Sequence, residues 1–118
     1  MEILSKILIG LVAIEHLYIL YMEMFAWETL GKKTFKGSLK DELFKPTKGL
    51  AANQGLYNGF LSAGLIWSFF IENETWSQNV AIFFLGCVIV VCRTYAKIYA
   101  SFRSALFRFF NNRQLFIC

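Results

Sequence analysis

Three ionisable side chains, Glu15, His16 and Glu23, interrupt an otherwise apolar run near the start of the chain. Ionisable groups at membrane depth are rare and by default mark a place where a proton, an ion or a ligand is handled. His16 and Glu23 are seven residues apart, so on a helix they share nearly one face and lie about 10 Å apart along the axis. That distance is too long for direct contact and leaves space for a ligand or for a group from another helix. Glu15 points about 100° away from His16, so the three cannot clamp one ion from a single helix. One His and two Glu at these spacings match no strong metal motif, so no metal ligands are assigned, and the sequence names no cofactor. The competing use of the same groups is architectural: they bond to polar residues of a second helix and fix how the two pack.

A second polar group follows in another apolar stretch: Asn53, Gln54, Tyr57 and Asn58. Gln54 and Asn58 are i, i+4 and share a helix face, with Tyr57 beside them. Lipid offers amides no hydrogen bond, so at membrane depth they must find partners in the protein. The ionisable groups of the first helix are the nearest in chemistry. Together the two groups describe a polar intramembrane pocket of seven ligand-binding candidates. The same stretch holds Ala51, Gly55, Gly59 and Ala63, four residues apart, including a GxxxG step. Small residues at this spacing let helix backbones approach closely, which predicts a packing face, internal or between copies in a homo-oligomer. Asn73-Glu74-Thr75 matches a glycosylation acceptor, a pattern frequent by chance. No nucleophile elbow, phosphate loop, dinucleotide fingerprint or paired-cysteine metal site occurs, and the reading leans away from an enzyme.

Composition says what must hold these groups. Of 118 residues, 57% are hydrophobic and 17% charged, against roughly 45–50% and about 25% in soluble domains. A chain this short cannot bury that excess in its own core, so the lipid bilayer is the expected solvent and partner. The expected architecture is an all-α membrane bundle in a single domain, with residues 1–92 as membrane core and 93–118 as a basic tail. Three segments are long enough to span: 3–27, 47–71 and 76–92, since roughly 20 residues cross the hydrocarbon. The first is read as a retained helix, because Glu15 and His16 break it and no small-residue cleavage site follows. Between the first two lies a polar loop with Lys32, Lys33, Lys36, Lys40 and Lys45, in which Ser38 and Asp41 predict a short helix to Phe44. Pro46 suits the first turn of the next helix.

The net charge of +4 would raise nucleic acid as a partner in a soluble chain. Here the basic residues lie in that loop and in the tail (Arg93, Lys97, Arg103, Arg108, Arg113), a topology signal, so no nucleic-acid partner is expected. The turn at Glu72 and Glu74 is acidic. Basic loops stay in the cytoplasm, which sets the N-terminus outside and the tail inside the cell membrane. With Phe102, Phe107, Phe109 and Phe110, the tail reads as a helix lying in the interface. Cys87, Cys92 and Cys118 make no disulfide framework.

The blocks Glu15-His16-Leu17-Tyr18 with Tyr21-Met22-Glu23-Met24-Phe25 and Trp27, and Ala51-Ala52-Asn53-Gln54-Gly55-Leu56-Tyr57-Asn58-Gly59-Phe60-Leu61, resemble a bacterial membrane family labelled only domain of unknown function 1304. Gly64-Leu65-Ile66-Trp67 and Phe83 to Val90 resemble further parts of it, so the likeness covers about residues 3–91. It implies a four-helix inner-membrane protein, supplies no activity, and groups Glu15, His16, Glu23, Asn53, Gln54, Tyr57 and Asn58 as one set. After Val91 the family pattern is a small-residue turn and a fourth apolar helix with a Gln-Gly-x-Pro-Ala motif. This chain instead reads Cys92-Arg93-Thr94-Tyr95-Ala96-Lys97 and then Arg and Phe, through divergence or a reading-frame change, and the fourth helix is not predicted from it. The function expected is binding or transport of a small molecule or proton in the polar pocket. The alternatives are a membrane enzyme on a lipid-like substrate, with His16 or Glu15 as acid–base group, and a structural or interaction module.

Overall fold

The computed structural model describes residues 1–37 and 39–105. They form four α-helices: α1 (Ile3–Phe25), α2 (Lys32–Thr34), α3 (Lys48–Phe69) and α4 (Glu74–Ala105), with no strand among the described residues. α1 and α3 run antiparallel: as numbers rise along α1 through Ala13 and Glu23 to Trp27 just beyond its end, their hydrogen-bonded partners fall through Ser62 and Asn58 to Thr47 just before α3. α4 turns back along α3, and Ile9, Ala13, Leu65 and Ala81 from the three long helices form one apolar core.

The outer surface of the long helices is rich in large apolar side chains, unlike that of a protein in water. The buried residues of α1 are Ile9, Ala13, His16, Ile19, Met22 and Glu23, and those of α3 include Ala51, Gly55, Asn58, Ser62 and Ser68. The exposed ones are Leu4, Ile7, Leu11, Ile14, Phe60, Trp67, Ile82 and Phe83 among others. Small and polar groups thus share the helix interfaces with Ile9, Ile19, Met22 and Leu65, while many large apolar groups face outward, as expected where lipid is the surroundings and close packing holds the helices. Two helices, Ile3–Phe25 and Glu74–Thr94, are long and apolar enough to cross a membrane. At 22 residues α3 has the length, about 33 Å, but its inward stripe of Ala, Gly, Asn and Ser lowers its hydropathy. Three segments of spanning composition were expected; two meet that standard.

α4 corrects the sequence boundary. It begins two residues before Trp76, where the Asn73 side-chain oxygen accepts the Trp76 backbone N–H at 3.0 Å. Asn73 is therefore a helix cap, a local use for the residue that opens the glycosylation-like triplet. The helix does not stop at Cys92 but runs to Ala105. Arg93 ends the apolar run, yet Arg, Lys, Ala, Ser and Tyr all continue a helix and no Gly or Pro intervenes. The first part of the expected basic tail is thus an extension of α4. Residues 106–118, with Phe107, Phe109, Phe110 and Cys118, lie outside the described residues, as does Ser38. The short helix expected from Ser38 to Phe44 is a single 3-10 turn, Asp41–Leu43.

The loop between α1 and α3 is folded. Met22, Phe35 and Phe44 are buried together, with Trp27, Leu30 and Leu39 packed against them. The Trp27 ring lies 5.3 Å from the centroids of both Phe35 and Phe44. Its indole N–H donates to the Thr47 hydroxyl at 3.1 Å. A single π-helical turn, Trp27–Gly31, brings the indole over Gly31. A Cβ at Gly31 would fall 2.7 Å from Trp27 Cε3, so only glycine fits beneath the ring. This aromatic cap closes the end of the α1–α3 interface at which Glu23 sits.

Candidate functional site

Glu23 and Asn58 meet because the backbones of α1 and α3 come unusually close beside them. A Cβ on Gly55 would lie 2.8 Å from Met24 Cγ, 3.0 Å from Glu23 Cβ and 3.2 Å from the Leu20 carbonyl oxygen, and one on Gly59 would collide with Leu20. In that gap Asn58 Nδ2 donates to Glu23 Oε2 at 3.0 Å and to the Gln54 backbone oxygen at 3.1 Å. Both side chains are buried, Glu23 at 6% and Asn58 at 3% exposure. His16 is buried on the same face of α1, and its Nδ1 donates to the Val12 carbonyl at 2.8 Å. That bond makes Nε2 the acceptor nitrogen of the neutral ring. The pairs Ser62–Ala13, at 2.8 Å, and Asn58–Glu23 bracket His16 along the interface.

The seven sequence candidates therefore divide. His16, Glu23 and Asn58 share the α1–α3 interface, with Gln54 half-buried at its flank, while Glu15, Asn53 and Tyr57 are exposed. The packing stripe divides too. Ala51 and Gly55 are buried and Gly59 is half-buried against α1, but Ala63 is exposed. Each four-residue step overshoots a helical turn by about 40°, so three steps carry the stripe off the face. The face is continued by Asn58, Ser62 and Leu65 in three- and four-residue steps. From Ala51 to Gly59 the stripe is an internal packing face against α1.

The buried serines escaped the sequence reading. Ser62 donates to the Ala13 carbonyl, Ser77 to the Ser68 carbonyl at 2.7 Å, and Ser68 to its own Leu65 carbonyl at 2.6 Å. Their signal was present in the continuation of Asn58 by four residues to Ser62. Among the described residues, grooves lie elsewhere, of about 440 Å³ between Leu8 and Ile82, about 220 Å³ around Lys6, Glu72 and Ser77, and about 380 Å³ between Trp67 and Phe83. Among the described residues no group of three His, Cys, Asp or Glu is close enough to share a metal ion.

The chain is similar to known sequences without known activity. Uncharacterized protein YpaA of Lactococcus lactis subsp. lactis (strain IL1403) is 38% identical over 81 residues, a match that covers 62% of each chain. This chain thus spans less than two thirds of that relative's length. No solved structure matches it. The family model described as Protein of unknown function (DUF1304) matches residues 10–109, which takes in the whole α1–α3 interface from Gly10 onward and runs past Val91 through the described end of α4. With most of its length inside that match, the chain belongs to the DUF1304 family of proteins of unknown function.

Proposed function

We propose that this chain is a three-span integral membrane protein whose α1–α3 interface binds a proton or a small hydrogen-bond donor. One observation carries the reading. Glu23 and His16 are buried on one face of α1, and each keeps one acceptor atom, Glu23 Oε1 and His16 Nε2, without a protein partner among the described residues. Buried polar atoms in native proteins are nearly always satisfied, and hydrocarbon cannot satisfy them. Both vacant atoms are acceptors, so the guest presents O–H or N–H: water, a hydroxyl compound or a protonated amine. Native mass spectrometry of the protein in mild detergent tests this. A small molecule held by the wild type and lost from Glu23→Gln, at unchanged subunit number, is the expected result. Bare protein in both samples would support the packing role instead, which the direct Asn58–Glu23 bond also favours.

The three spans are supported by the outward apolar faces of α1, α3 and α4 and by the place of α3 between the other two. The lysine loop and residues Arg93 and Lys97 lie at one end and Glu72 and Glu74 at the other, so the positive-inside rule puts the loop in the cytoplasm. In a cysteine-free chain, an impermeant maleimide should label Glu72→Cys on intact cells and Lys36→Cys only after permeabilisation. Labelling of both from outside would refute the order.

A further inference from the structure

α1 carries a second carboxyl group that the α1–α3 interface does not use. Glu15 lies one position past the midpoint of the helix, roughly 18 Å from Ile3 and 15 Å from Phe25. Its side chain is exposed and has no hydrogen-bond or ion-pair partner among the described residues. Around it on that face stand Leu8, Leu11 and Tyr18, at 54%, 58% and 50% exposure. On the membrane reading above, on which this inference rests, a carboxyl group faces acyl chains at mid-bilayer. Such groups turn to protein or water, not to lipid.

We propose that this face of α1 is where two copies of the chain meet, with Glu15 of each copy accepting a hydrogen bond from the Tyr18 hydroxyl of the other. The residues Leu4, Leu8, Leu11, Glu15 and Tyr18 alternate steps of four and three, the repeat by which two parallel helices interlock. Copies inserted in one orientation meet about a twofold axis along the membrane normal, so residues of like depth face each other. Acceptor and donor lie within one turn of each other. The face is thereby complementary to itself and forms two equivalent bonds, whereas a foreign helix would need a donor of its own at that depth. Leucines alone drive little association in lipid, whose tails are as apolar as they are. The polar pair therefore sets the register, as a lone polar residue does in a coiled-coil seam. The other self-association candidate, the small-residue face of α3, is already filled by α1.

Cysteine crosslinking in membranes tests the contact. In a chain with Cys87, Cys92 and Cys118 replaced, Leu11→Cys should form a disulfide-linked dimer on oxidation, and Phe60→Cys, exposed on α3, should not. Adding Glu15→Leu, which suits lipid and leaves the fold intact, should weaken self-association about ten-fold, the size expected for two membrane hydrogen bonds. Glu15→Gln should retain it, since an amide also accepts. A Leu11→Cys protein that stays monomeric in carbonate-washed membranes, or a Glu15→Leu protein that dimerises as strongly as wild type, overturns the inference while leaving the membrane reading in place. Release of the chain by the carbonate wash overturns both.

Discussion

Phe44→Ala should lower the stability of the folded chain by about 3–5 kcal/mol, the range for truncating a large buried aromatic. Phe44 is 2% exposed and lies under Trp27 with Met22 and Phe35. The cap closes one end of the α1–α3 pair within the lysine-rich loop, and on the proposed membrane reading it borders water, where the hydrophobic effect acts in full. Losing Phe44 removes the surface on which the indole rests and loosens the Trp27–Thr47 bond that ties the foot of α1 to the head of α3. Thermal unfolding in detergent and limited proteolysis of the loop are the measurements. The variant should unfold earlier and be cut between Lys32 and Lys45, while Phe44→Leu keeps most of the wild-type behaviour. An unchanged midpoint and an uncut loop would mean that the cap contributes nothing.

Asn58→Leu should cost about 1–3 kcal/mol, because it strands the Glu23 oxygen rather than merely deleting a bond. That exceeds the average of about 0.6 kcal/mol for an interhelical hydrogen bond in a membrane. Adding Glu23→Leu should recover much of the loss, since replacing both partners by apolar groups of like size removes the unmet acceptor. A double-mutant cycle on detergent unfolding reads the coupling directly. A double variant no more stable than Asn58→Leu alone would show that Glu23 is satisfied by something other than Asn58.

What the sequence disclosed was set by periodicity. Seven-residue spacing put His16 and Glu23 on one face, and the structure keeps both there. Amides on the second long helix were matched in chemistry to the ionisable groups of the first, and one such pair, Asn58–Glu23, is joined. The four-residue stripe was read too far, because four is not the helical repeat, and Ala63 turned outward. The aromatic cap was illegible: Trp27, Phe35 and Phe44 are eight and nine residues apart in an irregular segment, and nothing local says that they converge. Trp27, the lid of this small core, stands beyond the end of α1, where no helical period relates it to the two Phe. The end of α4 was misplaced because charge ends an apolar run without ending a helix. Which of Glu15, Asn53 and Tyr57 would face outward depended on the rotation of each helix, which α1 and α3 settle only by packing against each other.

The cap, the Asn58–Glu23 pair and the Ser62–Ala13 bond all join α1 to α3, whereas α4 is joined to them near its N-terminal end, by Ser77 donating to the Ser68 carbonyl, by the Glu74 carboxylate paired with the N-terminal ammonium and by an apolar contact. Stability is therefore unevenly shared. α1 and α3 form a hairpin that opens only with the whole fold, and α4 swings free at a smaller cost, as units of unequal stability do in native proteins. Amide hydrogens in the second half of α4 exchange first, and those around Ser62 last. Synthesis proceeds in the same order, so the hairpin is complete before α4 arrives to close over it.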